Sequence, residues 1–175
     1  EEPMLLVLSA AKITRIRAAL NGDEDRILFA DMAAIGSNPA RIIPAWRRFL
    51  DAHGVSGRPV RGIGEPIWPG RSPDELVESQ RHEALLNVAF AYAPAFRLLC
   101  PYDITALDAA VVDEAARSHP FLVEDGVQRA SAGYRGLFAI AAPFAEPLPA
   151  PPASVRELPF GDPSLPAVRQ LVAAR

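Results

Sequence analysis

The sequence has a single cysteine and a single lysine among its 175 residues. No apolar run reaches the roughly 18 residues that a membrane-spanning helix needs, so no membrane span is predicted. One cysteine, Cys100, excludes an intrachain disulfide, and we therefore expect a reduced, cytoplasmic setting. The net charge of −3 disfavours a nucleic-acid-binding surface. A chain of this length can bury about 70% of its unfolded surface, so it needs no disulfide or metal in order to fold.

Motifs for phosphate and metal binding are also missing. A P-loop requires spaced glycines followed by a lysine and a hydroxyl residue, but Lys12 lies on an early predicted helix. The glycines of Gly62-Ile63-Gly64 lack the third member of the dinucleotide fingerprint, because Ile67 stands at its place. The three histidines are far apart in sequence and outside any metal-binding motif. We therefore expect no nucleotide site and no metal site, and no particular cofactor is indicated.

Short apolar runs alternate with helical patterns along the first 123 residues. This alternation predicts an α/β fold, with a mostly parallel sheet covered by helices on both faces. Ser72-Pro73-Asp74-Glu75 is predicted to be a capping box that opens the helix at 72–92, and Pro44 is predicted to disturb the first turn of the helix at 39–50. Strands are predicted at 4–8, 26–30, 60–64, 96–100 and 121–123, and helices at 12–20, 39–50, 72–92 and 108–118.

The composition changes after Ile140, since eight prolines fall between Pro143 and Pro166. Such a stretch favours an extended, semi-rigid path. We therefore predict a first domain at 1–142, a linker at 143–156, and the start of a following domain or a docking tail at 157–175. A weak helix is expected from 165 to 174. The chain begins without methionine, and we expect it to be a piece of a longer protein.

Acidic residues stand at the ends of three predicted strands. In parallel α/β sheets, ligands bind outside the carboxyl ends of the strands, where the chain places Asp31, Glu65 and Asp103. The alternative is that Asp31 and Asp103 only cap the turns that follow them. Glu65 and Asp103 are the preferred polar anchors of the predicted site, and Trp68 and Tyr102 are its candidate aromatic walls.

The helix from Ser72 carries a polar line at Gln80, Glu83 and Asn87, which share one face. A contact of this line with the Glu65 loop or with a ligand is one interpretation, and ordinary solvent exposure is the other. We expect His82 and Glu83 to lie on a solvated face of this helix rather than to bind a metal ion.

Cys100 and His119 complete the candidate site. With Asp103 they would form a thiol–imidazole–carboxylate set for a small hydrolase. The alternative is a buried, inert thiol and a histidine at a helix end, and no catalytic residue is assigned.

Six short segments together resemble the MEDS domain, the methanogen/methylotroph sensory domain, in the form found in actinobacterial anti-sigma regulatory proteins. The resemblance extends over roughly residues 3–134. It implies a degenerate relative of RecA-type and circadian-clock ATPases that senses small molecules and lacks a P-loop. Family members usually have an earlier strand and helix with a histidine and aromatic residues. The segments are FADM (29–32), NPARIIPAW (38–46), RGIGEPIW (61–68), HEALLN (82–87), LLCPYD (98–103) and SHP (118–120).

A second resemblance lies beyond the proline-rich stretch. ELPF (157–160) and LPAVR (165–169) are similar to the entry into a histidine-kinase-like ATPase domain of the anti-sigma type. Together the two resemblances imply a sensory or regulatory domain that binds a small-molecule effector and controls an attached kinase module. Anti-sigma or anti-anti-sigma partner proteins and a homodimer are further possibilities. The alternatives are a protein-interaction module with a vestigial pocket and the small hydrolase described above.

Overall fold

The computed structural model describes residues 2–22, 24–54, 57–137, 139–140, 142–145, 147, 150 and 165–173. The chain divides into two compact units, residues 1–145 and 146–175. Much of the predicted linker and the 157–164 segment lies outside the described residues. In the second unit, the predicted helix is observed as Leu165–Ala173.

Four parallel strands form the central sheet of the first unit, which confirms the predicted α/β class. Strand order is β2-β1-β3-β4, so the two central strands are β1 and β3. Leu5 to Leu8 of β1 are all buried, as expected for a parallel strand that is covered on both sides. The strands are β1 (Met4–Leu8), β2 (Ile27–Asp31), β3 (Val60–Gly64) and β4 (Phe96–Leu99).

Helices flank this sheet and follow each of its strands. The capping box at Ser72 is confirmed: its side chain accepts from the Glu75 amide, and the Glu75 carboxylate accepts from the Ser72 amide. Pro44 lies in the first turn of its helix, where a missing N–H costs no helical hydrogen bond. The irregular backbone precedes it as a 3₁₀ turn at Pro39–Arg41. The helices are α1 (Ala10–Leu20), α2 (Met32–Gly36), α3 (Ile42–His53), α4 (Pro73–Ala89) and α5 (Ala109–Ser118).

Trp46 of α3 is the largest fully buried side chain of the core. Its indole lies over two glycines of β3. A Cβ at Gly62 would lie 2.7 Å from the indole, and one at Gly64 would lie 2.8 Å from it. Glycine at these two positions therefore lets the indole pack directly on the strand backbone, since no side chain stands between them.

The predicted strand at 121–123 is observed, but it does not extend the parallel sheet. It forms β5 (Phe121–Glu124), which pairs antiparallel with β6 (Val127–Ala130). Asp125 and Gly126 between them have φ values of +49° and +78°, as in the tight turns of two-residue hairpins. The turn sends the chain straight back, so that β5 pairs with β6 in a separate two-stranded sheet.

Among the described residues, no helix is long and apolar enough to cross a membrane.

Candidate functional site

A pocket of about 350 Å³ opens at the carboxyl edge of the sheet. The segments that follow β1 and β3 form its centre, where the strand order reverses. Such a reversal leaves a crevice beyond the strand ends, and ligands of open α/β sheets bind there. Its wall is formed by Ser9, Lys12, Met32, Ala33, Glu65, Trp68, Pro69 and Asp103. We call this cavity the edge pocket.

Glu65 is the buried acid of the edge pocket. It follows β3 directly, and its amide donates to the Val7 carbonyl, which continues the sheet pairing by one residue. Only 6% of Glu65 is exposed, and its Oε1 lies 2.5 Å from Lys12 Nζ. The Lys12 side chain itself is 49% exposed. The pair therefore joins a buried carboxylate to an ammonium that can still meet solvent or a ligand.

The loop after Glu65 is held in place by Arg71. Its guanidinium stacks on the Trp68 ring at 3.6 Å from the centroid. It also donates to the carbonyls of Pro66 (2.6 Å) and Gly36 (3.0 Å). Burial lowers the pKa of Arg71 from its usual value. The Arg71 cation thus packs on one face of the Trp68 ring and holds this ring in place as part of the wall of the edge pocket.

Asp31 and Asp103 both cap the turns that follow them, as one of the two interpretations of the sequence predicted. Asp31 accepts from the Ala33 amide at 3.0 Å and is the N-cap of α2. Asp103 accepts from the amide and hydroxyl of Thr105 at 3.1 and 2.7 Å, and these bonds lower its pKa. Asp103 nevertheless lines the edge pocket, whereas Asp31 is not part of its wall. Capping and pocket lining are therefore compatible for Asp103.

A second cavity, of about 310 Å³, lies beneath α4. We call it the inner pocket. Asn87 of α4 donates to the Ser118 carbonyl at 2.9 Å and so ties α4 to the end of α5. The remaining wall is mostly apolar. The pocket is lined by Glu83, Leu86, Asn87, Phe90, Ala91, Phe96, Leu98, Cys100, His119 and Pro120.

Glu83, Cys100 and His119 form a cluster at the polar end of the inner pocket. One ligand-type atom from each lies within 4.8 Å of the others. Burial raises the pKa of Glu83 above its usual value. Burial also raises the pKa of the Cys100 thiol well above its usual value, and the neighbouring Glu83 carboxylate adds to this shift. The resting cluster therefore favours a protonated thiol.

His119 is fixed by two contacts. Its Nδ1 lies 2.8 Å from the Ala115 carbonyl, and because a carbonyl can only accept, Nδ1 is the donor. The Tyr102 ring meets the imidazole edge-on, with centroids 5.8 Å apart. Tyr102 and His119 also line a neighbouring cleft against α5 and the hairpin. Nε2 is consequently the ring nitrogen left to act as a base or a ligand.

The structure divides seven of the nine predicted site residues between the two pockets. Glu65, Trp68 and Asp103 line the edge pocket, while Glu83, Asn87, Cys100 and His119 line the inner pocket. Glu65 lines a pocket at the sheet edge, but Asn87 lines the other pocket, and the polar neighbour of Glu65 is Lys12. Lys12 itself was missed as a site residue, because its pairing with Glu65 spans 53 positions. Its being the only lysine of the chain was the available signal.

The prediction that His82 and Glu83 lie on a solvated face of α4 is wrong. His82 is 4% exposed and Glu83 2% exposed. With Ser79 and Leu86 they form a buried stripe at helical spacing. Burial, with a smaller contribution from Arg71, lowers the pKa of His82 to about 4. The helix thus turns a polar face inward, which its residue types alone do not indicate.

Comparison with known proteins gives one match. Searches of curated proteins and of solved structures found none. The family description that matches is MEDS, the MEthanogen/methylotroph, DcmR Sensory domain, over residues 1–120. This range includes the four parallel strands, α1 to α5, and every residue of both pockets. The chain therefore belongs to the MEDS family of sensory domains.

Proposed function

We propose that the edge pocket binds a small organic effector and that this binding is the sensory step of the domain. The Lys12–Glu65 pair, at the crevice where the strand order reverses, is the observation that carries this proposal. Trp68 and Met32 supply apolar walls beside it. A partly buried ion pair beside an aromatic wall suits a ligand with one polar end and one apolar end.

The charge of the edge pocket favours a particular class of effector. Its wall carries one cationic residue, Lys12, and two acids, Glu65 and Asp103. The two acids leave an excess of hydrogen-bond acceptors near the ammonium. A ligand with an amine or hydroxyl group satisfies these acceptors, whereas a carboxylate meets repulsion.

A set of small probes tests this proposal directly. We expect n-butylamine and n-butanol to raise the melting temperature of the full chain more than n-butyrate does. Trp68→Ala should abolish this difference, whereas Tyr92→Ala, which removes an almost fully exposed ring, should preserve it. Native mass spectrometry of the purified chain adds a second readout, since a retained effector appears as extra mass. Equal effects of all three probes on the wild-type chain, or an unchanged difference in Trp68→Ala, would contradict the proposal.

We further propose that the domain regulates an attached anti-sigma-type kinase module in the cytoplasm and thereby transcription. The sensory family match and the resemblance of the segment after 157 to such a module support this. Anti-sigma or anti-anti-sigma proteins would be its partners, a homodimer is a possible assembly, and no nucleic acid is expected to bind. Fusion of the chain to such a kinase tests it, because effector should then change the phosphorylation rate.

An interaction module is the second candidate function, and one surface favours it. A groove of about 700 Å³ runs between β4 and the hairpin. Leu99, Phe121 and Val123 on its wall are each about half exposed. Exposed apolar residues grouped in this way are typical of binding surfaces. Replacing Phe121 with serine should then weaken partner capture without altering effector binding.

We propose binding rather than catalysis for this domain. The hydrolase alternative requires a thiol that ionises readily, but burial raises the pKa of Cys100. A Cys100→Ser variant that loses ester hydrolysis measured in the wild-type chain would favour the alternative.

A further inference from the structure

Two helices and a strand bring together three side chains that can bind a metal ion. Glu83 lies within α4, Cys100 follows β4, and His119 follows α5. One carboxylate oxygen, one sulfur and one ring nitrogen lie within 4.8 Å of one another. Atoms bound tetrahedrally to one ion at 2.0–2.3 Å lie about 3.3–3.8 Å apart, so small side-chain movements bring these three atoms to that spacing.

One oxygen of the cluster's carboxylate lacks a partner. Glu83 is 2% exposed and interacts with the Cys100 thiol, but its Oε1 is buried and has no hydrogen bond among the described residues. A buried carboxylate is costly unless a cation or donors satisfy it. Glu83 borders the inner pocket, so the missing partner can reach it from there.

The histidine is oriented as metal-binding histidines are. Nδ1 of His119 donates to the Ala115 carbonyl, which fixes the tautomer and leaves the Nε2 lone pair available. Histidines that bind metals usually make such a bond through their other nitrogen. The bond between Asn87 and the Ser118 carbonyl holds the backbone next to this ring.

We propose that Glu83, Cys100 and His119 bind one zinc ion, or another divalent ion of similar softness. Sulfur and nitrogen ligands select such ions over magnesium and calcium. A carboxylate and a thiolate together carry two negative charges, which a dication neutralises. Metal coordination also deprotonates a coordinating thiol.

Three protein ligands leave a coordination position open toward the inner pocket. Zinc sites with three protein ligands take water or a ligand molecule at the fourth position. The apolar wall of Leu86, Phe90, Phe96 and Leu98 borders that position. The bound ion would therefore act as a second sensing centre, independent of the edge pocket.

Cobalt titration of the chelator-treated full chain tests the site, because Co²⁺ replaces Zn²⁺ and is coloured. Cys100 is the only thiol, so a sulfur-to-cobalt charge-transfer band can arise from this residue alone. We expect that band to saturate at one equivalent and to disappear when Zn²⁺ is added. Folded protein that gives no such band would overturn the proposal. Saturation at half an equivalent of Co²⁺ would also overturn it, because two chains would then share one ion.

Substitutions separate this site from adventitious binding. Glu83→Gln and His119→Gln should each weaken Zn²⁺ binding in calorimetry by at least about tenfold. Glu78→Gln, at an exposed acid of the same helix, and His53→Gln are the matched controls and should bind as the wild type does. Unchanged affinity in both site variants would contradict the proposal. Should either variant fail to fold, the wild-type cobalt band still decides.

Discussion

The Trp46 indole lies directly on the backbone of Gly64, because a Cβ at that glycine would lie 2.8 Å from Trp46 Cζ2. The contact joins α3 to β3, the strand that leads into Glu65. The core and the edge pocket therefore depend on the same strand, and a shift of β3 moves both.

Gly64→Ala should destabilise the domain. The added methyl overlaps the indole, and overpacking of this kind typically costs about 1–3 kcal/mol. The free energy of unfolding in urea measures the loss. Gly133→Ala is the matched control, since its Cβ would meet its nearest atom at 3.7 Å, an ordinary contact. Equal stability of the two variants would show that β3 accommodates a side chain.

The Lys12–Glu65 pair should show coupling in a double-mutant cycle. Lys12→Met leaves the buried Glu65 carboxylate without its cation, and we expect a loss of about 1–3 kcal/mol. The double variant with Glu65→Gln should lose less than the sum of the single changes.

The exposed pair Arg17–Glu24, at 3.4 Å, provides the control cycle for Lys12 and Glu65. Exposed pairs typically couple by less than about 1 kcal/mol. Coupling at Lys12–Glu65 no larger than in this control would mean that the carboxylate is satisfied by other groups.

His82 should make the domain sensitive to acid. Its pKa falls from 6.5 to about 4 in the fold, so the folded state holds the imidazole neutral while the unfolded chain takes up a proton. The contribution of the neutral imidazole to the free energy of unfolding is fully present above pH 6.5. It falls by on the order of 3 kcal/mol as the pH is lowered toward 4. Unfolding free energies at pH 7 and pH 4.5 measure this loss.

His82→Leu should flatten that dependence. Both ring nitrogens of His82 are buried and have no hydrogen-bond partner among the described residues, so an apolar residue of similar size should cost little stability at pH 7. Other acid-sensitive groups, such as Glu75 and Glu114, remain in the variant and cancel in the comparison with wild type. His53→Leu is the control and should keep the wild-type slope. A slope in His82→Leu as steep as in wild type would contradict the assignment.

Arg135 should not be replaceable by lysine. Its two terminal nitrogens bind both oxygens of Glu114 at 2.5 and 2.8 Å, and this pair lowers the pKa of Glu114. Lysine cannot form the paired geometry, so Arg135→Lys should lower the unfolding free energy by about 1 kcal/mol. Arg129→Lys, in the exposed pair with Glu124, should have almost no effect. Similar losses in both variants would show that the paired geometry with Glu114 is not the cause of the loss.

Local signals in the sequence predicted the parallel strands and the capping box at Ser72 well, because apolar runs and caps act over a few residues. The burial of His82 and Glu83 was not predictable in this way, since it depends on where α4 meets the sheet. The Lys12–Glu65 pair joins residues 53 positions apart and carries no local pattern. Strand β6 was missed because Val127–Ala130 is exposed throughout and shows no buried face.

The two tryptophans of the chain occupy different environments. Trp46 is 1% exposed in the core, whereas Trp68 lies under Arg71 at the wall of the edge pocket. Their fluorescence should therefore report separate events: the emission of Trp46 follows unfolding, and that of Trp68 follows occupancy of the edge pocket. Single Trp→Phe variants would isolate each signal, so the domain carries its own optical probe of effector binding without an added dye.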